Sequence, residues 1–258
     1  MIELSEYPLQ VIFAGSIVAI MVAGEIARKF GVRAAEGGGN NVTTLQSATL
    51  GLLALLIGFT FAMALSRFEA RRTGVLNEAN AIGTTALRAR LLPAPHNTNS
   101  LKLLRDYVQL RLEFAQRLLS PQEQAAALDR SNAIHEALWQ EVMAVAAKDA
   151  AMVPTGLFIM TLNEMIDNQE NRLTALRDRV PNIVLLALYA TAIIASAFDG
   201  YVSGLESRRS RVPMYVMGLL VAAVILLIQD LDRPGRGFVT VSQQPMIDTA
   251  ASLAGYPE

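Results

Sequence analysis

Four apolar stretches set the pattern of this chain, and each is closed by an acid or a run of polar residues. Pro8 to Gly24 carries Gln10 as its one strongly polar group and runs on to Glu25. Ala48 to Leu65 is apolar apart from two threonines, Ile183 to Phe198 is closed by Asp199, and Val212 to Gln229 is closed by Asp230. At a helical rise of ~1.5 Å per residue such segments reach ~24 to 30 Å, near the hydrocarbon thickness of a bilayer. Each therefore predicts a transmembrane helix. The leader ahead of the first, MIELSE, holds two acids and no base. A secretory signal begins with a basic region, so the first span reads as a retained anchor helix.

The long segment between spans two and three, Arg67 to Pro181, has a helical period. Val75, Leu76, Ala79, Ile82, Leu87 and Leu91 recur at short helical steps, and no proline lies between Thr43 and Leu92. Span two and this segment predict one helix of ~50 residues, ~75 Å long, ended by Pro93 and Pro95. A polar loop from His96 to Ser100 then leads into a helix whose Leu101, Leu104, Val108 and Leu112 hold one face. Ser120, Pro121 and Glu123 have the spacing of a capping box that opens a third helix. Thr155, just after Val153 and Pro154, is the expected cap of a fourth. In the tail, Phe238 to Ser242 alternates briefly, and a short amphipathic stretch after Pro245 predicts an interfacial or packing element. No strand-period segment of useful length and no internal repeat occurs. The predicted fold is all-α: transmembrane spans one and two over 1–66, a helical extramembrane domain over 67–180, spans three and four over 181–230, and an extramembrane tail over 231–258.

Composition sharpens this. Mean hydropathy is +0.34, and 17% of residues are charged, which disfavours a soluble bundle with four buried helices. The chain has no cysteine, so disulfides and thiolate metal sites are excluded. A net charge of −1 gives no reason to expect a nucleic-acid partner. Basic residues in the short loops, Arg28, Lys29 and Arg33 on one side with Arg208, Arg209 and Arg211, put the helical domain outside the cytoplasm by the positive-inside rule. Arg67, Arg71 and Arg72 count for the opposite orientation.

On a helical wheel span two has two distinct faces. Ser47, Gly51, Ala54, Gly58, Ala62 and Ser66 form a stripe of small residues of the kind that packs closely in lipid. Gln46, Thr49, Leu53, Leu56, Thr60, Met63 and Arg67 form the opposite stripe, with polar ends and an apolar centre. It suits a conduit with a hydrophobic constriction, or a lipid-facing surface whose polar ends sit at the interface. Arg67, Arg71 and Arg72 crowd the exit of span two, and Asp230 and Asp232 the exit of span four. They are read as a charged mouth, as a collar against lipid headgroups, or as ion pairs joining the two exits. The two aspartates alone are a poor cation site. Asn77, Glu78, Asn80, Glu164 and Asp167 predict a polar network between helices, structural or lining a vestibule. Glu25 and Asp199 end spans one and three, and Arg28 and Lys29 stand at the i+3 and i+4 positions that neutralise Glu25.

Gly37 to Asn41 lacks the Lys-Ser/Thr of a phosphate loop. His135-Glu136 begins a zinc-protease pattern, but Trp139 stands where the second histidine belongs. With two separated histidines and no Gly-x-Ser-x-Gly, neither a catalytic metal nor a serine triad is supported, so no enzyme and no cofactor is expected.

Several strings are more specific: Gly58-Phe-Thr-Phe-Ala-Met-Ala with Arg67-Phe-Glu-Ala-Arg-Arg72, Asn77-Glu-Ala-Asn-Ala-Ile-Gly83, Thr161-Leu-Asn-Glu-Met-Ile-Asp167, and Asp230-Leu-Asp-Arg-Pro234 with Val241-Ser-Gln-Gln-Pro245. Together they resemble the bacterial bestrophin-like family of four-span membrane proteins, over nearly the whole chain. The resemblance implies a homo-oligomer around a central axis in the bacterial inner membrane, span two lining an anion path, and the extramembrane helices on the cytoplasmic side. The neck of true bestrophins has no clear copy here, so no residue role is carried over. The functional expectation is an anion-conducting homo-oligomeric channel in a lipid bilayer, lined by the Gln46 to Arg67 stripe. The alternative is a non-conducting scaffold or sensor whose helical domain binds a partner protein.

Overall fold

The computed structural model describes residues 7–35, 42–116, 121–148, 153–206, 210–235 and 237–256. Among them every regular element is an α-helix: α1 Leu9–Ala34, α2 Val42–Ala89, α3 His96–Gln116, α4 Pro121–Ala146, α5 Val153–Arg177, α6 Asn182–Leu205, α7 Val212–Asp232 and α8 Gln244–Ala254. The leader, the Gly37 to Asn41 linker, the Ser120 cap and the bases Arg208 and Arg209 lie outside the described residues.

The chain divides into two compact units. The first comprises Met1–Phe68 and Arg179–Val239, the second Glu69–Asp178 and Thr240–Glu258. The first holds α1, the apolar part of α2, α6 and α7, all long and apolar enough to cross a membrane. This is an all-α integral membrane protein.

Within the first unit the helix directions follow from the paired positions. Ser16 meets Tyr189, and the Ser196 hydroxyl donates to the Ile20 carbonyl at 2.8 Å, so α1 and α6 run parallel. Gln46 donates to Asp199 at 2.8 Å, Tyr215 to Glu25 at 2.6 Å and Gln229 to Tyr189 at 2.8 Å. The last two contacts set α7 antiparallel to that pair, and the first places the start of α2 beside the end of α6. The closest approach is glycine on glycine. A Cβ on Gly200 would fall on the Gly24 carbonyl, one on Gly204 on the Arg28 carbonyl, and one on Gly31 on the Tyr201 carbonyl. Only glycine permits that backbone contact. Ile20, Leu53, Ala64, Leu188, Ala192, Ala222, Ile225 and Ile228 fill the interior.

The second unit packs the far part of α2, α3, α4, α5 and α8 around Ile82, Leu104, Tyr107, Leu138, Phe158, Leu162 and Met165. Met246 and Leu253 of α8 are buried in the same cluster, so the tail helix is a packing element of this unit. Two local expectations are corrected. His96 to Ser100 is the first turn of α3, begun directly after the cis Ala94–Pro95 peptide: the His96 and Asn97 amides reach the Pro93 carbonyl, and Asn99 that of Pro95. Thr155 is a buried residue inside α5, which already starts at Val153, so it caps nothing.

Candidate functional site

Of the stripe of α2 expected to line a path, Leu53 and Thr60 are buried within the subunit and Gln46, Thr49, Leu56, Met63 and Arg67 are partly buried. Leu53 is 3% exposed and Thr60 is fully buried, while Leu56 and Met63 pack on the same apolar cluster as α6 and α7. Thr60 tolerates this because its hydroxyl donates to the Leu56 carbonyl at 2.7 Å, leaving no polar atom to solvate. Gln46 is engaged by Asp199, and Thr49 donates to its own helix at the Leu45 carbonyl. The small-residue stripe is the one left open. Ser47, Gly51, Ala54, Gly58, Ala62 and Ser66 are all exposed, and a Cβ on Gly51 or Gly58 would meet nothing within 4 Å. Leu55, 54% exposed, and Phe59, 62% exposed, flank it.

The expected charged mouth is likewise redistributed. Arg72 is exposed and Arg67 half-buried, but Arg71, Asp230 and Asp232 are buried, and a buried group forms no open rim. In the first unit Asp230 accepts the backbone amides of Phe238 at 2.7 Å and Val239 at 2.9 Å, one on each oxygen. A side chain on Gly237 would collide with that carboxylate. Asp232 accepts the Val180 amide at 2.9 Å, and its carbonyl takes a hydrogen bond from Arg179. These aspartates organise the chain entering α6 and leaving α7. Among the described residues no three His, Asp or Glu side chains gather as a metal site. Glu25 is met by Tyr215 and, at 4.0 Å, by Arg211, rather than by Arg28 and Lys29.

Of the predicted polar network, only Glu78 is interior. Asn77, Asn80, Glu164 and Asp167 are exposed on the second unit. The partners of Glu78 come from elsewhere: Arg111 on α3 at 2.7 Å, Arg172 on α5 at 2.6 Å, and the Tyr107 hydroxyl at 2.7 Å. Arg172 also donates to Gln243 at 3.0 Å, at the root of α8. Burial pushes the Glu78 carboxyl up, but Arg111 and Arg172, with hydrogen bonds from Arg172 and Tyr107, outweigh it and hold it below its ordinary value. Burial raises the Tyr107 phenol well above its usual range, and the Glu78 charge adds to this. His135, its ring centroid 4.9 Å from that of Tyr107, is lowered to about 4, chiefly by burial. Sequence reasoning missed Tyr107, Arg111 and Arg172. Their one visible signal was polar residues at positions of α3 and α5 that the helical period assigns to the core.

Four apolar helices in a bundle joined to a unit of packed helices define a class of integral membrane protein. A family model described as the bestrophin-like domain matches residues 14–246. The chain belongs to the bestrophin-like family. No curated protein is significantly similar in sequence. Among solved structures, a bacterial bestrophin homolog from Klebsiella pneumoniae is 17% identical with a TM-score of 0.68, covering 96% of this chain and 99% of that one. A substituted form of that homolog gives 17% identity and a TM-score of 0.69 over 93% and 98%. A third, described only as a membrane protein in variant form, gives 18% and 0.64 over 97% and 98%. At these identities the likeness is one of fold.

Proposed function

We propose that this chain forms a homo-oligomeric ion channel in the bacterial inner membrane, with α2 bordering the path and anions as the permeant species. The observation that carries the reading is the open face of α2, small or apolar through the membrane stretch and ending in Ser47 and Ser66. A face with no partner in its own subunit is free to meet an axis or other copies. Leu55 and Phe59 on it supply a hydrophobic constriction between polar ends. The lining thus moves from the Leu53 and Thr60 side to the Leu55 and Phe59 side. Anion preference rests on Arg67 and Arg72 beyond the span.

The purified chain reconstituted in planar bilayers under a potassium chloride gradient tests this. The expected result is a current reversing toward the chloride potential, enlarged by Leu55→Ser or Phe59→Ser and unchanged in character by Leu53→Ser. Reversal toward potassium overturns the anion part. Silent bilayers from intact oligomer overturn conduction, and leave the scaffold reading, which exposed Leu87, Leu157 and Met160 on the helical unit favour as a protein-binding surface.

A further inference from the structure

The stripe Val18, Val22, Ile26, Lys29 and Arg33 runs along α1 at spacings of three and four, so these residues share one face. Val18, Val22 and Ile26 are exposed, as is Phe30 beside them, and the two bases are exposed in continuation of the same line. The apolar part is therefore uncovered within its own subunit, and it ends in cations at the last turns of α1.

Among the described residues no acid forms an ion pair with those cations. Glu25 is held by Tyr215 and Arg211, and Asp199 by Gln46. Arg28, Lys29 and Arg33 have no ion pair among the described residues, and the buried Nε of Arg28 has no hydrogen-bond partner. One helix face thus presents an apolar track of about three turns leading to unpaired bases, the order of groups in a phospholipid read from acyl chain to phosphate. Cations at the end of a helix are also favoured by its dipole, which accounts for their position but not for the bare apolar line leading to them.

We propose that this end of α1 is a binding site selective for an anionic phospholipid, with the acyl chains along Val18, Val22 and Ile26 and the phosphate at Lys29 and Arg33, Arg28 adding charge beside it. Two bases near a membrane surface correspond to a preference of roughly 30-fold at low salt, weakening as salt is added.

The test uses the full chain in detergent, with binding of phosphatidylglycerol and of phosphatidylcholine of the same acyl chains followed by native mass spectrometry. The wild type is expected to favour phosphatidylglycerol, and Lys29→Gln/Arg33→Gln to lose most of that preference. Lys102→Gln/Arg130→Gln removes the same charge from the helical unit and is expected to keep it. If the double variant unfolds, the single variants Lys29→Gln and Arg33→Gln carry the measurement, each losing part of the preference. Equal binding of the two lipids overturns the proposal, as does a preference unchanged in the variants. Full displacement by millimolar inorganic phosphate overturns the lipid assignment in favour of a simple anion site. Burial of the stripe against a second copy in the intact oligomer also overturns it.

Discussion

The two units of this molecule solve the burial of polar groups in opposite ways. In the transmembrane unit, α1 and α6 meet backbone to backbone through Gly24, Gly31, Gly200 and Gly204, and the polar side chains form local bonds, pairs such as Gln46 with Asp199, or small groups such as Ser16, Tyr189 and Gln229. In the helical unit a carboxylate with no exposed surface takes two guanidinium groups and a phenol into the core. Lipid offers no hydrophobic force between helices, so close van der Waals contact must hold a span in place. A water-exposed unit gains from apolar burial and tolerates a charge-paired ionic centre within it.

Removing the centre of the ionic cluster is the strongest way to break this contrast. Glu78→Ala leaves Arg111 and Arg172 buried without their carboxylate, and the expected loss is about 3 to 5 kcal/mol. Hydrogen exchange on the full chain is expected to show it in α3 and α5, with α1 and α6 left protected. Deprotection of α1 and α6 to the same extent would show that the units are not energetically separate.

Acid attacks the same unit. His135 titrates at about 4 in the folded chain against 6.5 in an unfolded one. Between those values the unfolded chain binds more protons, so stability rises with pH and is lost as pH falls from 6.5 toward 4, by at most about 3 kcal/mol. Thermal unfolding across that range checks the slope, which His135→Phe is expected to flatten.

Gly200→Ala tests the other unit. Its methyl group has no place beside the Gly24 carbonyl, and overpacking of about 1 to 3 kcal/mol follows, read as a lower unfolding temperature and loss of protection in α1 and α6. The same substitution at Gly58 meets open space in the subunit. If Gly58→Ala nevertheless shifts the oligomer distribution, α2 makes a close contact between copies. The smallest effect belongs to the tail. Arg105 donates to the Leu253 and Tyr256 carbonyls at the end of α8, and Arg105→Ala is expected to cost about 1 kcal/mol, seen as faster exchange in α8 alone.

The four spans, the long second helix and the α8 stretch were legible because hydropathy and helical period are properties of neighbouring residues. The glycines of the α1 and α6 contact are more widely spaced than the denser small-residue stripe of α2, which carries the stronger packing signal. That stripe proved to be the open one. In lipid no hydrophobic force drives either a stripe of small residues or a stripe of leucines and threonines against another helix, so no amphipathic signal says which turns inward. The Glu78 cluster was hidden for a different reason: its partners lie 29, 33 and 94 positions away.

By itself, then, the sequence determined that this is an all-α membrane protein, how many times its helices are apolar enough to cross, and which strings place it among bestrophin-like chains. Only the tertiary structure decided which face of α2 is buried, that Asp230 and Asp232 bind backbone amides, and that Glu78 gathers Tyr107, Arg111 and Arg172. The physical reason is range. A helix is set by bonds four residues apart, whereas packing faces and buried ion partners are set by whichever distant segments compete for the same surface.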